Sequence, residues 1–390
     1  MRDNENMTDL ERILALWREL EAAGADYVLA TVVAVQGPSY RKPGALMLLT
    51  ADGRRAGTVS GGCLEAQVAS RAWWLTSAGP TVQQYSTAED DGDRPFGSGC
   101  GGVVFLLLER RSTAATFLGA IDAAFTQRVP MAAATILEGA QIGRRAFASL
   151  DAQATHIANP LEQFAQQAFA RRQSIDSEIP LDGSIARVWA NYRPARPAIG
   201  IFGAGDDAQP LVSLAKELGW FVSIADGRSH LATRDRFPRP DRLSVLPIEK
   251  LPADPLIADS SIIAFGILQG HDAAIVMTHS FEQDSKILAC LLSLEIPPAY
   301  IGVLGPQRRT RELLEEAARL LGLPSATIAH QADRWLASLH APTGLDLGAE
   351  SPETIALSIL AEIQKFRASA TALPLRTVRA AHGAGITLAR

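Results

Sequence analysis

The sequence predicts an α/β protein, with an N-terminal mixed α/β domain followed by a doubly wound parallel-sheet domain. Three observations carry this. At 390 residues the chain exceeds what one ordinary hydrophobic core can serve, so two domains are expected. Runs of β-forming residues recur throughout, with helical apolar spacing between them. The pattern changes near residue 195, from hairpin-like pairs to regular strand–helix alternation, which implies parallel strands with crossover helices.

In the first domain, placed at residues 1–190, Thr8 and Glu11 have capping-box spacing. Leu10, Ile13, Leu14, Trp17 and Leu20 follow on one helical face. Tyr27 to Val35 reads as a buried strand. Ala45 to Thr50 and Arg54 to Ser60 flank Asp52-Gly53, a common hairpin turn. A helix is expected from near Leu64, and Val103 to Leu108 is another apolar strand. Weaker signals follow: a helix over Thr113 to Ala124, then strands over Met131 to Leu137 and Ile142 to Ala148. Asn191 to Pro197, with two prolines and two arginines, is the linker candidate.

The second domain, placed at 195–370, contains apolar runs at Ala198–Phe202, Phe221–Ala225, Ser261–Phe265, Ala273–Met277 and Ala299–Leu304. The first runs into Gly203-Ala-Gly205-Asp-Asp-Ala208, a GxGxxA loop. Gly203 permits a tight turn, Gly205 lets backbone approach a phosphate, and Ala208 lets the next helix sit close to the sheet. Leu211, Leu214 and Leu218 continue as a helix. The second strand ends at Asp226, where a carboxylate would accept hydrogen bonds from ribose hydroxyls. These features together predict a Rossmann-like domain. Asp206 and Asp207, however, fall where a helix start would welcome a pyrophosphate, and they would repel one. A last helix follows Ser351-Pro352-Glu353. Residues 371–390 read as a loosely ordered tail.

Two loops of the first domain have unusual composition: Ser60-Gly61-Gly62-Cys63-Leu-Glu65 and Gly97-Ser-Gly99-Cys100-Gly101-Gly102. Consecutive glycines expose amides and tolerate positive φ, so such loops form anion-binding nests. A cysteine at a helix N-terminus is favoured as thiolate. Cys63 and Cys100 are therefore candidate reactive thiols, and Cys100 a soft metal ligand. The alternative reading is two ordinary turns. Glu65 reads either as a first-turn carboxylate favoured by the helix dipole or as a base beside Cys63. Arg41 and Lys42 would suit a phosphate or carboxylate. His279 follows a strand in the second domain, a position that faces the ligand crevice in doubly wound folds. Cys290, within an apolar helical run, reads as core.

Composition narrows the function classes. Apolar residues make up 47% and charged residues 20%, and the net charge is −5. No broad basic face for nucleic acid or anionic lipid is expected. No segment reads as a membrane span, and Met1 to Arg12 does not read as a signal peptide, so a cytoplasmic protein is expected. Three cysteines and seven histidines without HxxxH spacing argue against a disulfide framework or a structural zinc site.

Taken together and in order, these motifs resemble the XdhC/CoxI family. Gly37-Pro-Ser-Tyr-Arg41-Lys-Pro-Gly44-Ala-Leu-Met47, Ser60 to Glu65 and Gly97 to Gly102 look like the signatures of its N-terminal domain. Phe202 to Gly205, Asp226-Gly-Arg228, Val276 to His279, Tyr300 to Gly305, Pro342 to Gly348 and Glu353 to Glu362 look like its Rossmann-like domain. Asp206 departs from the family, which usually has histidine there. The resemblance implies a maturation factor that binds molybdenum cofactor, as molybdopterin or its dinucleotide form. It implies presentation of the cofactor for sulfuration, with a cysteine desulfurase as partner. Delivery to a molybdenum hydroxylase apoenzyme of the xanthine or CO dehydrogenase type follows, and analogy with the family suggests a homodimer. On this reading the cofactor-binding candidates are Arg41, Lys42, Ser60, Gly61, Gly62, Gly99, Gly101, Gly203, Gly205, Asp206, Asp226, Arg228 and His279, with Cys63, Glu65 and Cys100 at the reacting centre. Two other readings stay open: an NAD(P)-dependent oxidoreductase using the GxGxxA loop, and a sulfur carrier holding a persulfide on Cys63 or Cys100.

Overall fold

In the computed structural model, the residues described are 7–62, 64–86, 102–149, 159–251 and 272–381. The chain divides into two compact units, with Arg196 in the first and Pro197 in the second.

Unit one contains a five-stranded antiparallel sheet of order β3-β2-β1-β5-β4. Its strands are β1 (Tyr27–Gln36), β2 (Leu46–Thr50), β3 (Arg55–Gly57), β4 (Thr81–Ser86) and β5 (Val103–Arg110). The first seven residues of β1 are buried because helices cover both sides. Tyr27 and Leu29 pack with Ile13 and Leu14 of α1 (Asp9–Ala22) and Phe117 and Leu118 of α3 (Arg111–Gln127). Val28, Ala30 and Val32 pack on the other face against Val68 and Ala72 of α2 (Glu65–Leu75). A strand sandwiched this way has no need of polar alternation, which is why it reads as one apolar run. The capping box of α1 forms, with the Thr8 amide donating to Glu11 at 3.0 Å and the Glu11 amide to Thr8 Oγ1 at 3.4 Å.

A second sheet of order β7-β6-β9-β8 completes this unit. It consists of β6 (Met131–Glu138), β7 (Arg145–Ser149), β8 (Ile175–Leu181) and β9 (Ser184–Arg193), with α4 (Pro160–Arg171) against it. Here the expected linker is corrected: Asn191, Tyr192 and Arg193 belong to β9, paired with Ala133, Ala132 and Met131. The expected strand from Ile142 begins later, at Arg145, because Gln141 and Gly143 turn the chain at positive φ.

Unit two contains a parallel sheet of order β12-β11-β10-β13-β14. Its strands are β10 (Ala198–Phe202), β11 (Phe221–Asp226), β12 (Arg242–Val245), β13 (Ala273–Val276) and β14 (Tyr300–Val303). Ile199 and Ile201 face α5 (Ala208–Glu217) and α9 (Pro352–Ala368). Phe202 faces the side packed by α6 (Phe281–Ser293), α7 (Gln307–Leu320) and α8 (Ser325–Ser338). Helices on both faces of a parallel sheet make this the doubly wound arrangement expected, and α10 (Leu375–Ala381) follows. The strand expected at Ser261–Phe265 lies outside the described residues. From β10 the strand order runs outward in opposite directions through β11 and β13. The carboxyl ends of β10 and β13 thus flank a topological switch point, where ligands bind in such sheets.

Candidate functional site

In unit one the topology brings two sequence motifs, together with Gly102 from a third, to one end of the five-stranded sheet. β1 ends at Gln36, which pairs with Val103 at the start of β5; β2 begins at Leu46, and β3 ends at Gly57. The segments after Gln36 and after Gly57 therefore emerge side by side, with Gly102 beside them. They also touch. A Cβ on Gly61 would come within 2.7 Å of the Tyr40 ring, and one on Gly102 within 2.0 Å of the Pro38 carbonyl oxygen. At Gly102 the Pro38 backbone leaves no room for a side chain, and at Gly61 one would have to displace the Tyr40 ring.

Glu65 organises the loop that precedes α2. Its carboxylate is buried and accepts from the amides of Val59 at 3.1 Å, Ser60 at 2.9 Å, Gly61 at 3.3 Å and Gly62 at 2.9 Å. The Ser60 hydroxyl donates at 2.6 Å, and the Thr58 hydroxyl donates as well. Burial alone would raise this carboxyl. The hydrogen bonds from Ser60, Thr58 and the backbone outweigh it and hold the group down at about 2. Glu65 is thus an internal ligand of the glycine nest, with its lone pairs engaged, and this geometry matches a cap better than a base.

Arg41 is turned back toward α1, where it pairs with Asp9. Lys42 is exposed and makes no ion pair among the described residues. Tyr40 is 72% exposed with its ring against Gly61, and nothing lies within 4 Å of the Cβ position at Gly62. The Arg193 guanidinium, from the end of β9, donates to the Gly44 carbonyl at 2.6 Å and anchors the far end of the same loop. Cys63, Gly99, Cys100 and Gly101 lie outside the described residues. Cys290 is buried in the core of unit two, which pushes its thiol up to about 12.

In unit two Gly203, at φ +130, turns directly over the end of β13. A Cβ there would lie 2.5 Å from the Met277 carbonyl oxygen. Asp226 is fully buried and accepts the Ala204 amide at 2.7 Å. Arg228 donates to the same carboxylate, and its Nη2 reaches the Thr278 carbonyl at 3.0 Å. Burial opposes ionisation of Asp226, but the Arg228 and Ala204 hydrogen bonds lower its pKa. Beside the loop, His279 sits at φ +62 with Nε2 2.7 Å from the Asp207 carboxylate. Asp206 is exposed and pairs with Arg236 at 2.9 Å. Among the described residues no group of three or more His, Cys, Asp or Glu is placed to hold a metal ion.

Comparison with known proteins decides the family. The profile of the XdhC Rossmann domain matches residues 199–363, and that of the XdhC and CoxI family matches residues 20–86. A probable xanthine dehydrogenase subunit of Bacillus subtilis is 30% identical over 349 residues, covering 87% of this chain and 93% of that protein. The chain belongs to the XdhC and CoxI family. The molybdenum cofactor insertion chaperone PaoD of Escherichia coli is 24% identical over 371 residues, covering 93% of this chain and 90% of PaoD. The crystal structure of a xanthine dehydrogenase from Bacillus halodurans superposes with a TM-score of 0.68 at 27% identity, covering 96% of this chain and all of that one.

In this XdhC/CoxI-family chain, the structure brings Tyr40, Ser60, Gly61, Gly62 and Glu65 together, with Gly102 beside Pro38. It gathers Gly203, Gly205, Asp226, Arg228 and His279 at the switch point. Sequence reasoning misses Asp284, a buried anchor that accepts the Thr278 hydroxyl at 2.6 Å and Arg309 at 2.7 Å. A carboxylate four residues past the Ser280 cap is the available signal. No described helix is long and apolar enough to cross a membrane.

Proposed function

We propose that this chain is a maturation factor that carries molybdenum cofactor, as molybdopterin or its dinucleotide form, as cargo. It presents the cargo for sulfuration, with a cysteine desulfurase as partner, and delivers it to a molybdenum hydroxylase apoenzyme. The observation that carries this reading is the convergence of the loops after Gln36 and after Gly57, with Gly102 against Pro38, at one end of the unit-one sheet. The name of the PaoD relative points the same way.

The loop surface suits a pterin. Tyr40 offers an exposed aromatic face, and Gly61 and Gly62 leave the adjoining backbone bare of side chains. Lys42 supplies a cation for a phosphate. The nest amides do not, because Glu65 already fills them. Cys63 is the residue after Gly62, and Cys100 the second before Gly102. A thiolate there would be the soft donor for the molybdenum of the cargo. The role is binding and transfer.

The test is native mass spectrometry of the protein purified from a molybdate-replete host that makes the cofactor, with pterin fluorescence after oxidation. Bound molybdopterin, reduced in Cys100→Ala while the fold is kept, supports the reading and the thiol. Protein free of pterin in that host would remove the reading.

A further inference from the structure

A GxGxxA loop at a switch point implies a dinucleotide, so the residues there can be tested against one. They do not fit. The second glycine of such a loop exists so that a pyrophosphate can approach the backbone. Here that approach is taken: a Cβ on Gly205 would meet Asp207 Oδ1 at 2.6 Å. The Asp207 side chain is only 20% exposed, and His279 Nε2 holds its other oxygen at 2.7 Å. The acid at the end of the second strand is closed as well. Asp226 is fully buried with four donors on its oxygens, namely the Ala204 amide and the Arg228 amide, Nε and Nη2. Asp226 thus presents no outward oxygen to ribose hydroxyls, and the arginine that would meet a 2′-phosphate is already paired with it.

We propose that this loop is closed to dinucleotides because the Asp207 carboxylate, latched by His279, stands where the pyrophosphate would bind. Unit two therefore keeps the Rossmann-like scaffold without a nicotinamide cofactor. This inference is independent of the cargo reading for unit one.

The experiment is calorimetric titration of the full chain with NAD+, NADH, NADP+ and inorganic pyrophosphate. The parent should show no saturable binding up to about 1 mM ligand, and no ligand-induced rise in Tm. Asp207→Gly should bind pyrophosphate at least about tenfold more tightly than the parent, because a like charge at contact distance is gone. Asp207→Asn, which keeps the shape and removes the charge, should gain less and serves if the glycine variant unfolds. His279→Gly, tolerated by the positive φ, should also gain. Micromolar nicotinamide binding by the parent would overturn the proposal. So would folded Asp207→Gly and Asp207→Asn proteins that gain nothing.

Discussion

Arg228 grips Asp226 through three of its own nitrogens, the amide at 2.8 Å, Nε at 2.9 Å and Nη2 at 2.7 Å. The same Nη2 reaches the Thr278 carbonyl at 3.0 Å, so this pair joins the end of β11 to the end of β13. Arg228→Ala would leave a fully buried anion with only the backbone amides of residues 204 and 228 among these donors, and no cation. A loss of about 2 kcal/mol is expected, below that of a wholly buried pair because Arg228 is partly open to water. Arg228→Lys keeps the charge and should lose less. Urea midpoints settle it, and an unchanged midpoint in Arg228→Ala would show that water replaces the guanidinium.

Glu65 predicts an acid-dependent term in stability. Its carboxyl is depressed from 4.5 to about 2 in the fold. A depressed acid stabilises above its unfolded pKa, and the contribution disappears as pH falls through the folded one. Stability on the order of 3 kcal/mol should therefore be present above pH about 4.5 and fade toward pH 2. In Glu65→Gln the unfolding free energy should be lower at pH 6 and decline less steeply on acidification. Parallel slopes for both proteins would place the acid sensitivity elsewhere.

Gly61 sits at φ +95 with the Tyr40 ring against it. Gly61→Ala must displace that ring, so pterin retention should fall while urea stability changes by about 1 kcal/mol. Tyr40→Phe should retain cargo and Tyr40→Ala should lose roughly three- to tenfold in affinity, the scale of one aromatic stack. If the parent binds molybdopterin and Tyr40→Ala binds it equally, the ring is not the platform.

The ion pair between Glu109 and Arg145 is closed to water, with side chains 0% and 5% exposed. The Arg145 guanidinium also lies 4.4 Å from the Phe117 ring centre. Removing one partner alone, as in Glu109→Ala, should cost about 3–5 kcal/mol, because a buried charge is left uncompensated. The double replacement Glu109→Leu/Arg145→Met should recover most of that loss. A double variant as weak as the single one would mean that shape, not charge, governs this position.

What is legible in the sequence follows from how each element is covered. β1 and β10 are clad by helices on both faces, so their apolar runs announce them. β8 gives no such signal, because it is an edge strand with Asp176, Glu178 and Pro180 along it and most of its residues exposed or half-exposed. β12, four residues long with none buried, is silent for the same reason. At the site, the glycine loops are recognisable as places where backbone amides gather. The groups that answer those amides are harder to read. Glu65 lies close in sequence to the amides it caps, whereas Asp207 and His279 are separated by 72 residues and meet only through the parallel sheet.

The bond from Arg193 to the Gly44 carbonyl spans 149 positions of sequence within unit one. It makes the signature loop a dependant of the second sheet. A genetic screen for lost maturation would therefore recover lesions at position 193 and along β9 together with those in the glycine loops. Pooled phenotypes would group residues that share no motif, and the grouping would trace this tether rather than a second binding surface.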